Sequence, residues 1–302
     1  MTHPSADPAP IILMRGIEKR FGSVLANRGA ALDVRMAEVH ALVGENGAGK
    51  STLMLILAGL FPPDAGTVEV NGQDVTGWST AEAIQAGVGM VHQHFMLVPS
   101  LTVAENVVLG REPRRGVAID MARAQLEVQE IGRRFRLEVD AHRCVRDLSV
   151  GEAQRVEILK ALFRGARILI LDEPTAVLSP PEVRELWRVL RGLRDGGGTI
   201  ILITHKLDEV IEVSDRITVM RDGETVARME TAATTPADIA RAMIGRDVAL
   251  GAAPRQPARE PQQIDAGRDK SVVPDAAREH IIEIGGGPPR SQVAAAPPPP
   301  GP

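Results

Sequence analysis

The sequence predicts an α/β fold with a mainly parallel sheet, an antiparallel β edge subdomain and an inserted helical subdomain. Three observations carry the prediction. Runs rich in Ile and Leu at 168–171 and 199–204 lack polar alternation, as strands buried on both faces do. Stretches with apolar residues at helical spacing separate the strand-like runs, and strands alternating with helices argue an α/β architecture. From about 102 to 164 the helical pattern continues without a strand, which sets that stretch apart as a lobe of its own.

Along the chain, 11–17, 30–36 and 67–71 read as half-buried strands of the antiparallel edge. Residues 38–43 (EVHALV) read as a buried strand that runs into a glycine-rich loop, with a helix at 50–60 after it. In 120–139, Met121, Ala124, Val128, Ile131 and Phe135 recur at spacings of three and four, the mark of an amphipathic helix. Residues 181–194, 206–213 and 236–244 are helical too, and no repeat of ~20–50 residues is present. The folded domain is expected over 11–248, with the helical subdomain at about 95–165. Residues 1–10 are expected to be flexible. The segment 249–302 is expected to be a disordered tail, since 251–302 holds 11 of the 22 prolines and ends in AAAPPPPGP. Such a composition buries too little apolar surface to offset ordering entropy.

Composition narrows the function classes. The chain has 302 residues, 44% hydrophobic and 25% charged, so a sizeable core is possible. A formal net charge of -4 and 2% aromatic residues give no support to a nucleic-acid partner, which usually demands a basic excess or stacking rings. Cys144 is the only cysteine, so no intrachain disulfide forms and a reducing compartment is expected. The start MTHPSADPAP lacks the basic and apolar pattern of a signal peptide. The longest apolar run, 53–61, falls short of the ~20 residues that cross a bilayer. A membrane connection is therefore expected through a partner.

Gly44-Glu45-Asn46-Gly47-Ala48-Gly49-Lys50-Ser51, continued by Thr52, fits the G-x-x-x-x-G-K-[ST] pattern of a P-loop NTPase core. Small residues at 47–49 let backbone N–H groups close round phosphate oxygens, and the helix from Lys50 adds its positive end. Lys50 brings a compact charge to the outer phosphates, and Ser51 can ligate Mg²⁺. A plain glycine-rich turn is the alternative, but strand, loop and helix stand in the order the motif requires. The strand at 168–171 ends in Asp172 and Glu173. Asp172 is placed to hold Mg²⁺ and Glu173 to take a proton from the attacking water. Read in isolation, the pair could equally be a solvated strand end; the phosphate loop upstream favours the site.

At Leu148-Ser149-Val150-Gly151-Glu152, followed by Gln154 and Arg155, the chain resembles the signature motif of ABC transporter ATP-binding subunits, and the resemblance covers roughly 11–248. The usual form is LSGGQ; Val150 and Glu152 depart from it in the manner of importers for nucleosides and simple sugars. Ser149 and Glu152 also read as a helix capping box, a role that does not exclude an anion site at the same helix end. Further positions match the family. The resemblance places Gln93 at the loop that reaches the metal and the attacking water, although an exposed amide is the plain alternative. His92 and His94 flank it with no third partner and are taken as non-ligands. His205 matches the histidine that contacts the γ-phosphate, although a lone histidine at a strand end is usually polar surface. Phe21 falls where family members stack a ring on adenine, and it could equally be a core residue. Ser179 stands where most of the superfamily carries aspartate, and it reads well as a helix cap before Pro180 and Pro181.

The resemblance implies ATP and Mg²⁺ as ligands, a paired second ATPase domain, a transmembrane permease and, indirectly, a substrate-binding lipoprotein. In that arrangement ATP lies between the loop 44–52 of one domain and the motif 149–152 of the other. The location it implies is peripheral, on the cytoplasmic face of the plasma membrane. Importers of this type usually join two such domains in one chain of about twice this length. The Pro-rich tail stands where a second would begin, so the chain is expected to homodimerise, to pair with a separate half, or to be a truncated product. A nucleic-acid-acting ATPase would show a basic excess or a long coiled-coil insertion, and neither is present. An inactive ATP-binding half is opposed by the complete set Lys50, Asp172, Glu173 and His205.

Overall fold

The computed structural model describes residues 9–245. The expectations for a flexible start and a disordered tail lie outside the described residues, save for residues 9 and 10. In chain order the first elements are β1 (Ile12–Phe21), β2 (Val24–Val34), β3 (Val39–Val43), α1 (Lys50–Leu57), β4 (Ala65–Val70), β5 (Gln73–Asp74), α2 (Thr80–Gln85) and β6 (Val88–Val91). Then come α3 (Val103–Val108), a short hairpin of β7 (Arg114–Arg115) and β8 (Ala118–Ile119), α4 (Met121–Phe135) and α5 (Val150–Phe163). The remainder is β9 (Ile168–Asp172), α6 (Pro180–Asp195), β10 (Thr199–Thr204), α7 (Leu207–Val213), β11 (Arg216–Arg221), β12 (Glu224–Glu230) and α8 (Pro236–Ile244).

Two sheets carry the architecture. The larger has the order β12-β11-β3-β10-β9-β6 and is parallel except for β12 at its edge. The smaller, β2-β1-β4-β5, is antiparallel. The unbroken apolar runs are explained by burial on both faces. Ile168, Ile170, Ile201 and Ile203 point into a core shared with α1 and the antiparallel sheet. Leu169, Leu171, Ile200 and Leu202, one residue out of phase, point into a second core built on α3, α4, α5 and α6. Side chains alternate across a strand, so a strand with a core on each side has no polar position. A third cluster seats α7 and α8 on β11 through Val210, Ile217, Val219 and Ile239.

Several element boundaries differ from the sequence reading. The strand expected at 30–36 begins at Val24 and ends at Val34, because Gly29 (φ 71°) breaks the local pattern while pairing with β1 continues on either side. The helix after the glycine-rich loop stops at Leu57 rather than residue 60, where Gly59 takes φ 73°. The helix expected over 120–139 has Asp120 as its cap and ends at Phe135, where Arg136 turns left-handed at φ 56°. Strand β6 and the hairpin β11–β12 were not expected at all. β12 lies at the sheet edge and alternates exposed with half-buried residues, so its charged sequence ETVARME gives little apolar signal.

Candidate active site

Parallel pairing brings the critical strand ends to one edge. β3, β10, β9 and β6 are successive neighbours, with Thr204 beside Val43, Ile203 beside Asp172, and Leu171 beside Val91. The residues that follow those ends, Gly44, His205, Glu173 and Gln93, therefore emerge together, at the carboxyl edge where open α/β sheets bind ligands.

The loop before α1 needs glycine at two places for reasons its surroundings show. A Cβ on Gly44 would stand 2.4 Å from the Met220 carbonyl oxygen. Gly49 has φ 91°, and a Cβ there would stand 2.4 Å from the Ala26 carbonyl oxygen. Gly49 is also the N-cap of α1, and no side chain caps that helix. By contrast α2, α3, α5 and α8 each open with a capping box that occupies first-turn amides. The first amides of α1 are thus left for a ligand at the positive end of the helix dipole. Lys50 is buried, and its Nζ donates to the carbonyls of Gly44 at 2.8 Å and Glu45 at 2.9 Å. Burial pushes its pKa down, and the carboxylates of Glu173 and Asp172 pull against that shift.

Asp172 closes the inner wall. Burial pushes its carboxyl above the usual carboxylate range, while a hydrogen bond from Ser51 and the charge of Lys50 oppose the rise. Glu173 follows in the left-handed region at φ 45°, a strain of ~1–3 kcal/mol that positions its side chain beyond the strand end. Its backbone N–H still donates to the Ile203 carbonyl at 3.0 Å. Glu173 Oε1 lies 2.9 Å from His205 Nδ1, and Gln93 Nε2 donates to Glu173 Oε2 at 3.4 Å. The cleft between these groups has a volume of about 460 Å³. It is lined by residues 46–52, Gln93, Asp172 and Glu173, with Val24, Leu25 and Ala26 from the β1–β2 hairpin.

Not every expected residue lines the cleft: Gly44 lies outside the lining, and His205 lies outside it too, against Glu173. Phe21 is 42% exposed at the end of β1 and outside the cleft lining; its ring meets Phe61 edge to face, with centroids 5.4 Å apart. Ser149, Gly151 and Glu152 also lie outside the lining, at the start of α5. There the Glu152 amide donates to Ser149 Oγ at 3.2 Å, the Ser149 amide donates to Glu152 Oε2 at 2.7 Å, and Arg143 donates to Glu152 Oε1 at 2.6 Å. A Cβ on Gly151 would stand 2.5 Å from Glu182 Oε1, so any larger residue there obliges the Glu182 carboxylate at the start of α6 to move. Sequence reasoning missed Asn27. It is fully buried on β2 and donates from Nδ2 to the Gly49 carbonyl at 3.1 Å, bracing the loop from behind. A single asparagine in a half-buried strand carries no pattern that would have found it.

Comparison with known proteins agrees with this geometry. A family model described as ABC transporter matches residues 28–176. The chain is 49% identical over 240 residues to a nucleoside import ATP-binding protein of Lactococcus lactis, covering 80% of this chain and 47% of that protein. It is 44% identical over 239 residues to a ribose import ATP-binding protein of Rubrobacter xylanophilus, covering 79% and 48%. The chain thus spans about half the length of the curated relatives it matches. Among solved structures, the ADP conformation of an ATP-binding cassette of an ABC transporter superposes with a TM-score of 0.67 at 26% identity, covering 77% of this chain and 94% of that one. A dimeric bacterial ABC transporter cassette superposes with a TM-score of 0.63 at 26% identity, covering 73% and 98%.

Proposed function

The chain belongs to the ABC transporter ATP-binding family, and we propose that it binds and hydrolyses ATP to energise uptake of a nucleoside or simple sugar through a separate membrane permease. One observation carries the reading. The uncapped helix start that follows the glycine-rich loop shares one cleft with Asp172, Gln93 and Glu173, and His205 is hydrogen-bonded to Glu173 just outside the cleft lining.

In this reading the amides of residues 47–52 hold the phosphates and Lys50 neutralises the outer ones. Ser51, Asp172 and Gln93 offer only oxygen donors, which suits Mg²⁺, and a divalent charge would offset the cost of keeping the half-buried Asp172 ionised. When bound, the ion supplies charge neutralisation at the β- and γ-phosphates. Glu173 takes a proton from a water that attacks the γ-phosphorus. The bond from phosphorus to the bridging oxygen breaks, and ADP and phosphate leave. Gln93 and His205 hold the Glu173 carboxylate at 3.4 and 2.9 Å and face the same reacting atoms. Phe21 stacks on the adenine.

Ser149, Gly151 and Glu152 complete the site of a second domain by presenting the start of α5 to its γ-phosphate. That domain is a second copy of this chain or a separate half, and the dimeric cassette relative supports the pairing. No described helix is long and apolar enough to cross a membrane, which fits a peripheral subunit at the cytoplasmic face of the membrane that meets its permease near Gln93. A binding lipoprotein would act on the permease and reach this chain only indirectly. The purified chain should hydrolyse MgATP, and Glu173→Gln should trap a dimer with ATP bound. A monomer that binds ATP without turnover, even with its permease present, would overturn the reading.

A further inference from the structure

The segments that leave β9 and β10 run side by side and are joined by two rungs. One is the contact of Glu173 with His205. The other is built from Thr175, Lys206 and Glu209, which have no part in the roles assigned above. Thr175 is 2% exposed, and its hydroxyl donates to Glu209 Oε2 at 2.7 Å. Lys206 Nζ donates to the Thr175 carbonyl at 3.0 Å and to Thr175 Oγ1 at 3.1 Å, and it lies 3.1 Å from Glu209 Oε1. The three groups close a ring.

The placement of the lysine is informative. Lys206 is the N-cap residue of α7, where a positive charge opposes the helix dipole and contributes no cap of its own. Its favourable contacts are those of the ring. The ring spans two residues beyond Glu173 on one segment and one residue beyond His205 on the other. The Lys206 amide is held in turn by Thr204 Oγ1 at 3.1 Å. Beyond Thr175 the chain continues through a Leu178 amide bonded to the Thr175 carbonyl at 3.3 Å, and then to Ser179 at the start of α6.

We propose that Lys206 is a positioning residue: through Thr175 and Glu209 it locks the register of the two segments that carry Glu173 and His205. The inference rests on the ATPase reading for its kinetic consequence but not for its structural one. A displacement of ~1 Å in a reacting group costs ~100-fold in rate, whereas the phosphate-binding amides of α1 lie on a different element and should be spared.

The test uses the full chain with Lys206→Met, Glu209→Gln and the pair combined, alongside Thr175→Val and Thr175→Ser. MgATP affinity and steady-state hydrolysis are measured, together with the ¹⁵N resonance of His205 Nδ1, assigned by its loss in His205→Gln. Lys206→Met should leave affinity within ~2-fold and lower kcat by ~10–100-fold. The combined variant should be no slower than the worse single one, because both substitutions open the same ring. Thr175→Val should reproduce the loss, and Thr175→Ser, which keeps the hydroxyl, should retain the rate. The Nδ1 resonance should move away from its hydrogen-bonded value in Lys206→Met and Thr175→Val. Unchanged kcat, losses that multiply in the combined variant, or an unmoved resonance would each overturn the proposal. If the unsubstituted chain hydrolyses nothing, the ATPase reading fails by itself, and the His205 resonance alone decides the positioning role.

Discussion

Gly151 and Glu182 offer a sharp test of how the start of α5 is held. Glu182 accepts from the Ser179 amide at 2.8 Å and from Ser179 Oγ at 2.6 Å, forming the capping box of α6. Those bonds hold its carboxyl below the usual range, with the Gly151 backbone contributing a further one. A methyl at Gly151 would stand 2.5 Å from Oε1, so in Gly151→Ala the carboxylate must swing away. Losing the box costs ~1 kcal/mol. Replacing a helical glycine by alanine gains up to ~1 kcal/mol. The two effects oppose each other, and Gly151→Ala should be near neutral in the parent chain. In a Glu182→Ala background the box is already absent, and the same substitution should stabilise by ~0.5–1 kcal/mol. Urea unfolding of the nucleotide-free protein, run as a double-mutant cycle, measures the difference. If Gly151→Ala has the same effect in both backgrounds within ~0.3 kcal/mol, the two side chains are uncoupled and the reasoning is wrong.

Three further outcomes follow from individual contacts. Burial pushes the Glu157 carboxyl above its ordinary value of about 4.5. Between that value and the raised one the folded chain holds more proton than the unfolded chain, so stability falls as pH rises through the window. Glu157→Gln keeps an acceptor for the Met96 amide and removes the titration, so its Tm advantage over the parent should grow from about pH 4 to about pH 8; a flat difference would sink the idea. Asn27→Leu removes the side-chain donor to the Gly49 carbonyl, which keeps only the Leu53 amide, and should weaken MgATP binding by ~10-fold, the equivalent of ~1.4 kcal/mol, in nucleotide titrations. Ser149→Ala should cost ~1 kcal/mol of stability in urea unfolding through loss of the α5 cap, and an unchanged midpoint would count against the box.

The sequence was legible where backbone chemistry forces residue identity. Gly44 and Gly49 are glycines because carbonyl oxygens of Met220 and Ala26 stand where a Cβ would go, and such constraints surface as a motif. The strands 168–171 and 199–204 were legible because a core lies on each face. β6 was not, since four residues interrupted by Gly89, which an added Cβ would drive to 2.8 Å from Ala166 Cβ, carry no period. Helix α2 was overlooked although Ser79 and Glu82 make a full capping box, a signal that could have been read. Asn27 and the Thr175–Lys206–Glu209 ring were invisible for another reason. They act through tertiary contacts across 22 and 31–34 residues of chain, and no local spacing encodes such a contact.

The placement of the expected nucleotide ligands bears on assembly more directly than any motif does. The residues 46–52, Gln93, Asp172 and Glu173 line one cleft, whereas Ser149, Gly151 and Glu152 line none of it. Each set is already braced within its own chain: the loop by Asn27 and the carbonyls that Lys50 engages, and the α5 start by Arg143 and Glu182. Neither set therefore has to rearrange inside the chain before it can meet the other across two chains. Under the proposed pairing, binding energy from ATP would go into bringing two prepared surfaces together, and only a ligand that favours the joined state would shift that equilibrium. The Thr175 ring and the Glu182 box lie at the two ends of the segment between Glu173 and Gly151's neighbour, α6. Under the role proposed for Glu173, the chain from that carboxylate to α6 passes the Thr175 ring, the Leu178 amide on the Thr175 carbonyl and the Ser179–Glu182 box, with Ser179 standing where most of the superfamily carries aspartate.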